Sequence, residues 1–140
     1  MELHSLGFAK IVLLANDIAE VIIDEGVVMN LAMVNKYHEF LISHLQAPFS
    51  LLINKINEYS YDFNAQMKIA NIPQINAMAI VTYTKHAEFT THLLADTTYR
   101  QSPWNIRMFP QRDMALDWLE NEQLKVSAAA NNGQLAIKLD

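Results

Sequence analysis

Histidines are the residues of this sequence whose chemistry first suggests a metal site. His38 and His44 fall on one predicted helix, and His86 and His92 fall on another. Two metal ligands on one helical face need a separation of three or four residues, but the members of each pair lie six residues apart, which is about 240° around a helix. The spacing therefore argues against a metal site, and we expect none.

Catalytic motifs of other kinds are equally hard to find. Asp113 and Asp117 share a face of a predicted helix, but that face lies opposite Trp118, which suits a solvated row of charge better than acid-base chemistry. Three glycines are too few for a phosphate-binding loop, the absence of cysteine excludes thiolate chemistry, and no Ser-His-Asp motif is recognisable. We therefore expect a protein that is not an enzyme and has no cofactor.

Composition limits the class of protein. The chain has 140 residues, of which 51% are hydrophobic and 18% charged, as expected for one folded domain of ordinary size rather than a disordered chain. The net charge of -5, without clustered Lys or Arg, argues against nucleic-acid binding. Acidic residues interrupt the apolar runs, so we predict no transmembrane segment. The lack of cysteine and of a recognisable signal peptide favours a cytoplasmic location.

The N-terminal half predicts a hairpin, a helix and a buried strand. The runs "FAKIVLLAND" and "IAEVIIDEG" are rich in β-branched and aliphatic residues and are separated by the turn-forming pair Asn16-Asp17. Asn30 can cap a helix in which Val34, Tyr37 and Leu41 recur at three- and four-residue spacing. The short apolar run "FSLLIN" is typical of a strand that is buried on both faces.

The C-terminal half continues the alternation of helix and strand. A helix over about 63–70 has Ser60 or Asp62 as its N-cap, and the strand "NAMAIVTY" follows. Thr84 can cap a third helix, whose core-facing side is predicted from Phe89, Leu93 and Leu94. A loop, "TTYRQSPWN", then leads to the strand "IRMF" and to a last amphipathic helix, "RDMALDWLENE".

The order β-β-α-β-α-β-α-β-α predicts a single-domain α/β fold with a mixed, mostly parallel sheet of about five strands, an N-terminal β-hairpin and about four helices. The domain is expected to occupy 1–122. The tail, 123–140, alternates in hydrophobicity near its end and is predicted to form either an extra edge strand or a floppy segment. The predicted core is Val12, Leu14, Ile22, Val34, Leu41, Leu52, Ile53, Ala79, Val81, Leu93, Phe109 and Trp118.

Four stretches carry a resemblance to a known family. They are "DEGVVMN" before the first helix, "FSLLIN" as a central strand, "NAMAIVTY" before the third helix and "IRMFPQRDMALDWLENE" at the end. With them, about residues 8–122 resemble a SpoIIAA-like, STAS-type domain, and more narrowly the small bacterial relatives that are also grouped with SEC14-like proteins. The matching motifs are structural, so the resemblance implies a fold rather than an activity.

The resemblance also suggests a recognition loop. STAS antagonists carry Asp-Ser-Ser-Gly at the start of the second helix, and phosphorylation of a serine there controls partner binding. The region here reads "NEYSYDFNAQ", with Ser60 as the nearest hydroxyl but without the flanking aspartate, second serine and glycine. Either Ser60 is an ordinary loop or cap residue, or the loop is a regulatory or recognition surface formed by Asn57, Glu58, Tyr59, Ser60, Tyr61 and Asp62.

Two functions follow as expectations, and an unrecognised enzyme is left open as a third. The first is a non-catalytic regulatory or protein-interaction module, whose partner is another protein or a second copy of the chain, with 123–140 contributing to a homodimer. The alternative is a carrier or sensor of a small apolar ligand or lipid. For that alternative, methionines in "VVMNLAMV" and at Met67, Met78 and Met108 would line an adaptable pocket; the other explanation is that they fill gaps in the core.

Overall fold

The computed structural model describes residues 2–97 and 105–139, with side chains described over 2–94 and 105–129. Residues 98–104, within the loop predicted before the last strand, lie outside the described residues. In chain order the elements of the described part are β1 (Glu2–Ser5), β2 (Ala9–Ala15), β3 (Ile18–Ile23), β4 (Val28–Met29), α1 (Leu31–His44), β5 (Phe49–Lys55), β6 (Ser60–Tyr61), α2 (Phe63–Lys68), β7 (Ile75–Thr82), α3 (Lys85–Thr97), β8 (Ile106–Phe109) and α4 (Arg112–Leu139).

The main sheet has the strand order β1-β2-β3-β5-β7-β8. Strands β1, β2 and β3 are antiparallel neighbours, whereas β3, β5, β7 and β8 run parallel to one another. The predicted mixed sheet, N-terminal hairpin and four helices are confirmed. The sheet has six strands rather than about five, because β1 pairs with the outer edge of β2. The chain reverses between these two strands at Gly7, whose φ of 92° suits glycine.

Helices cover both faces of this sheet. Helices α1 and α2 share one apolar cluster with Leu51 of β5, and α4 shares the other with the adjacent Leu52. Successive side chains of a strand point to opposite faces, so β5 is buried on both, as its apolar sequence predicts. The result is three layers, with the parallel strands in the middle.

The predicted helix caps are present. Asn30 Oδ1 accepts the backbone N–H of Met33 at 2.9 Å at the start of α1, and Thr84 Oγ1 accepts that of Ala87 at 3.0 Å in α3. Of the two candidates for α2, Asp62 is the cap, since its Oδ1 accepts the Ala65 N–H at 2.8 Å. Side-chain acceptors thus fix where these three helices begin.

The predicted inner face of α3 is wrong for two of its three residues. Phe89 and Leu93 are exposed, while Thr91 is buried and Leu94 is partly buried against the α1 side of the sheet. The Thr91 hydroxyl donates to the carbonyl of Ala87 at 2.7 Å, so a threonine can be buried here without an unsatisfied hydroxyl. The helix therefore turns Phe89 and Leu93 outward.

The predicted core is otherwise confirmed only in part. Val34, Leu41, Leu52, Ala79, Val81 and Phe109 are buried, whereas Val12, Leu14, Ile22, Ile53 and Trp118 are partly buried. Helix α4 packs on β5 and β7 and leaves its side of β2 less covered. Leu119 of α4 is fully buried, and Trp118 lies at the margin of the same cluster with its ring centroid 5.7 Å from that of Phe109.

The edge strand predicted near the C-terminus is wrong, because α4 continues to Leu139 and the boundary at 122 falls inside this helix. The tail is rich in residues that favour helices, and a helix whose first turns are already held on a sheet extends at little cost. No helix within the described ranges is long and apolar enough to cross a membrane.

Polar contacts hold α4 to the sheet at two points. At its start, Arg112 donates from Nε and Nη2 to the carboxylate of buried Glu20, at 2.8–3.1 Å, and Asn54 donates to the same carboxylate at 2.9 Å. Burial alone would raise the pKa of Glu20, but the hydrogen bonds from Arg112 and Asn54 outweigh it and the pKa is lowered. Three turns later, buried Gln123 donates to Asp17 and accepts from Ser50.

Candidate functional site

A cleft of about 590 Å³ opens where β5 and β7 end. Lys55 is the last residue of β5, Tyr83 follows the last residue of β7, and Gly26 follows β3 closely. The loop over 56–61 forms one wall and the first two turns of α3 form the other. In open parallel sheets, ligands bind outside the carboxyl ends of the strands, so the cleft lies where such folds place their sites.

The wall formed by 56–61 is firmly held. Strand β6 pairs in parallel with β4, with Ser60 beside Val28. Asn57 Nδ2 donates to the carbonyl of Ile23 at 3.0 Å, and the backbone N–H of Glu58 donates to the carboxylate of Glu25 at 2.8 Å. These bonds tie the loop to the segment that follows β3, so this wall is formed in advance of any ligand.

Three tyrosines, two of which belong to this wall, form a cluster at its base. The rings of Tyr59 and Tyr61 meet edge to face with centroids 5.7 Å apart, and Tyr37 of α1 lines the recess beneath them. Burial raises the pKa of Tyr61 to about 12 and also raises the pKa values of Tyr37 and Tyr59. All three hydroxyls therefore keep their protons at neutral pH and add no negative charge to the cleft.

Lys55 lies at the floor of the cleft. Its Nζ is 5.2 Å from the centroid of the Tyr59 ring, within the range of a cation–π contact. Beneath it lies an apolar recess of about 50 Å³, lined by residues that include Ile53 and Ile80. Burial lowers the pKa of Lys55 to about 8, because an ammonium group loses hydration in such surroundings.

The wall formed by α3 is polar near the strand ends and apolar further along. His86, Ala87 and Thr90 line the cleft on the first turns, and Leu93 lines it one turn later. Leu93 is 52% exposed and Ile56, on the facing loop, is 61% exposed. The rim of the cleft is thus apolar while its floor carries a cation.

The sequence-predicted recognition residues are brought together in this place. Asn57, Glu58, Tyr59, Ser60 and Tyr61 line the cleft, whereas Asp62 caps α2. Ser60 is exposed, and its backbone N–H donates to the carbonyl of Val27 at 3.0 Å. The side chain of Asn57 is used to hold the loop. The role of these residues in recognition stays a prediction.

Sequence reasoning missed the other half of the site. Lys55, Tyr83 and Leu93 come from the end of one strand, the end of another and the middle of a helix. One signal was present: a polar loop follows a strand buried on both faces at Lys55, which marks the carboxyl end where parallel-sheet sites form. The facing wall had no such signal, since it depends on how α3 turns.

Histidine and methionine contribute little to the cleft. Among the described residues no three His, Asp or Glu side chains are grouped as metal ligands. His38 instead accepts the backbone N–H of Ala70 at 3.0 Å, and burial lowers its pKa to about 4. Met29 and Met78 are buried in the core, and the described lining of the cleft contains no methionine. The interpretation of the methionines as the lining of a pocket therefore does not hold for the cleft, although Met78 lines the apolar recess beneath it.

Comparison with known proteins gives a similarity of fold. The chain is similar to an uncharacterised protein of the DUF3478 family from Shewanella loihica PV-4, whose crystal structure is described as having a SpoIIAA-like fold. The two share 19% sequence identity with a TM-score of 0.48, over 79% of this chain and 91% of the other. No family model and no curated protein matches the chain. A SpoIIAA-like fold is also the one that the sequence predicts, and no function comes with the match.

Proposed function

We propose that this chain is a non-catalytic regulatory module that senses or carries a small, partly apolar ligand in the cleft between the loop over 56–61 and α3. The observation that carries the proposal is the cleft itself. Its volume of about 590 Å³ falls within the range of about 300–1,000 Å³ that is typical of small-molecule sites. Its place at the carboxyl ends of the parallel strands supports the same function.

The two walls of the cleft suit a sensor. One wall is held by the β4–β6 pairing and by hydrogen bonds from Asn57 and Glu58. The other is a helix that turns Phe89 and Leu93 outward and Thr91 inward. A ligand between the walls would cover Leu93 and Ile56 and so change the apolar surface that is offered to a partner protein.

A substitution that fills the cleft tests this function. Thr90 is exposed and lines the cleft, whereas Glu88 is exposed on the same helix but outside the lining. Phenylnaphthylamine, an uncharged dye that fluoresces in apolar sites, serves as the probe. We expect Thr90→Trp to weaken dye binding by about tenfold or more, and the matched Glu88→Trp to leave it unchanged. Equal binding by both variants and the wild type would exclude the cleft as the site.

A second candidate function is recognition of a protein through the same rim. It is favoured by the exposure of large apolar side chains that line the cleft, namely Ile56 at 61%, Leu93 at 52% and Tyr83 at 49%. Ser60 is exposed on the wall formed by 56–61, so a negative charge there would alter the surface. In pull-downs, Ser60→Asp should then change the proteins retained, while Ser43→Asp on the outside of α1 should not. Identical retention by the two variants would remove this candidate.

A further inference from the structure

Lys55 lies between the open cleft and the apolar recess beneath it. It ends β5, a central strand of the main sheet, and it lines both the cleft of about 590 Å³ and the apolar recess of about 50 Å³ below it. Its ammonium group lies against the ring of Tyr59. A ligand that entered the cleft as far as its floor would therefore meet this cation.

Among the described side chains, this cation has no anionic partner. Within the described part of the chain, the ion pairs engage His4, Lys10, Arg112 and Lys125, and the ammonium group of Lys55 forms neither an ion pair nor a hydrogen bond. Glu58 is the carboxylate in the described lining of the cleft, and it forms no ion pair with Lys55 either. By contrast, the guanidinium group of Arg112 is paired with the carboxylate of Glu20.

An ammonium group without hydration or a counterion costs free energy. The lowered pKa of Lys55 has the same origin. An anion that reached Lys55 would recover that free energy through a charge-assisted hydrogen bond, which an uncharged group cannot supply to the same extent. The remaining lining includes Val27, Ile56 and Leu93, which offer apolar contact to the rest of such a ligand.

We propose that Lys55 binds the acid group of the ligand, and that the ligand class is a small amphiphilic anion: one carboxylate or sulfonate on an alkyl or aromatic body. The acid lies at the floor against Lys55 and Tyr59, and the body lies along Ile56 and Leu93 toward the rim. This assignment rests on the proposed function, since it names the ligand of the same cleft.

Two dyes with the same aromatic frame separate the assignment from the function on which it rests. Anilinonaphthalene sulfonate carries an anionic group, and phenylnaphthylamine lacks it. We expect the wild type to bind both dyes and to prefer the anion. Lys55→Met should weaken binding of the anion by about tenfold or more, as the loss of a hydrogen bond to a charged group does, and should change binding of the neutral dye by less than about twofold.

Matched variants control for fold and for general charge. Lys55→Arg keeps the positive charge and should restore most of the preference for the anion. Lys85→Met removes an exposed lysine outside the lining of the cleft and should have no effect on either dye. The circular dichroism spectrum and melting temperature of each variant report its fold.

The outcomes distinguish the assignment of Lys55 from the ligand-binding function on which it rests. If Lys55→Met weakens both dyes equally, or weakens neither, Lys55 is not the receptor of an acid group, and the assignment is overturned while the ligand-binding function stands. If the wild type binds neither dye, the proposed function falls and the assignment falls with it. A selective loss of the anion, reversed by Lys55→Arg, establishes the assignment.

Discussion

Lys55 keeps its charge at neutral pH only narrowly, because burial lowers the pKa of its ammonium group to about 8. The proposed anion site should therefore weaken as the pH rises. From about pH 7 to about pH 9, the affinity for anilinonaphthalene sulfonate should fall as Lys55 loses its proton, since a sulfonate stays charged throughout. The measurement is a fluorescence titration at each pH.

The control for this titration is Lys55→Arg, since a guanidinium group does not lose its proton in this range. Its affinity should be nearly independent of pH. The other titratable groups in the described lining of the cleft are Glu58, His86 and the tyrosines Tyr59, Tyr61 and Tyr83, and they are present in both proteins. An equal dependence on pH in the two proteins would assign it to one of these groups instead.

The stability of the fold should also depend on the protonation of His38. Its Nε2 accepts the N–H of Ala70, which has a positive φ of 57°, and only the neutral ring can do so. Burial lowers the pKa of His38 to about 4, from an ordinary value of 6.5. Below about pH 6.5 the unfolded chain gains a proton that the folded chain refuses until about pH 4, so the folded state loses stability as the pH falls through that window.

The expected loss is up to about 1.4 kcal/mol per pH unit, measured by urea unfolding at several pH values. His38→Gln retains a hydrogen-bond acceptor without a titrating group and should lose less stability than the wild type over the same window. His44→Gln replaces a more exposed histidine of the same helix and serves as the control. If His38→Gln and the wild type lose stability in parallel, His38 does not contribute.

At the scale of elements, α4 depends on its polar anchors. Arg112→Met would leave the buried carboxylate of Glu20 with Asn54 as its partner. Removing one member of a buried ion pair costs about 3–5 kcal/mol, and we expect about 2–4 kcal/mol here because Arg112 is partly exposed. Denaturant unfolding of Arg112→Met, Glu20→Gln and the double variant measures the coupling. Strictly additive losses would show that the contact contributes no coupling energy.

The elements that could be predicted from sequence are those with local signals. Asn30 and Thr84 mark the starts of α1 and α3, and the apolar run of β5 identifies a strand buried on both faces. The inner face of α3 could not be predicted from hydrophobicity, because the hydroxyl of Thr91 is satisfied within its own helix and can be buried in place of Leu93. The cleft could not be predicted for the same reason, since one of its walls is that helix.

At the scale of the whole molecule, the domain must include Gln123. This buried side chain contacts Ser50, Asn76 and Asp17, and joins α4 to two strands and to the turn after β2. A chain that ends after Glu122 should therefore melt at a lower temperature than a chain that ends after Val126, although both lack most of the tail. Calorimetry of the two truncated chains tests this, and equal melting temperatures would show that the anchor at Gln123 is dispensable.

The homodimer stays a prediction, but exchange of an edge strand can no longer explain it, because the tail is part of α4. Sixteen residues of this helix follow Gln123, and Leu124 is 66% exposed. We expect light scattering to report a dimer mass for the full chain and a shift toward monomer for the chain that ends after Val126. A monomer mass for the full chain across micromolar concentrations would exclude the dimer.

The polar residues of β5 also bear on how faithfully the chain folds. The strand is apolar on both faces, so hydrophobicity alone hardly distinguishes its correct pairing from one displaced by a single residue. Ser50 and Asn54 find their partners, Gln123 and Glu20, only on the side of α4. A displaced strand would bury both side chains among apolar neighbours, at about 1–3 kcal/mol for each unsatisfied group. These two residues thus specify the register of β5, and a purely aliphatic strand would lack this specificity.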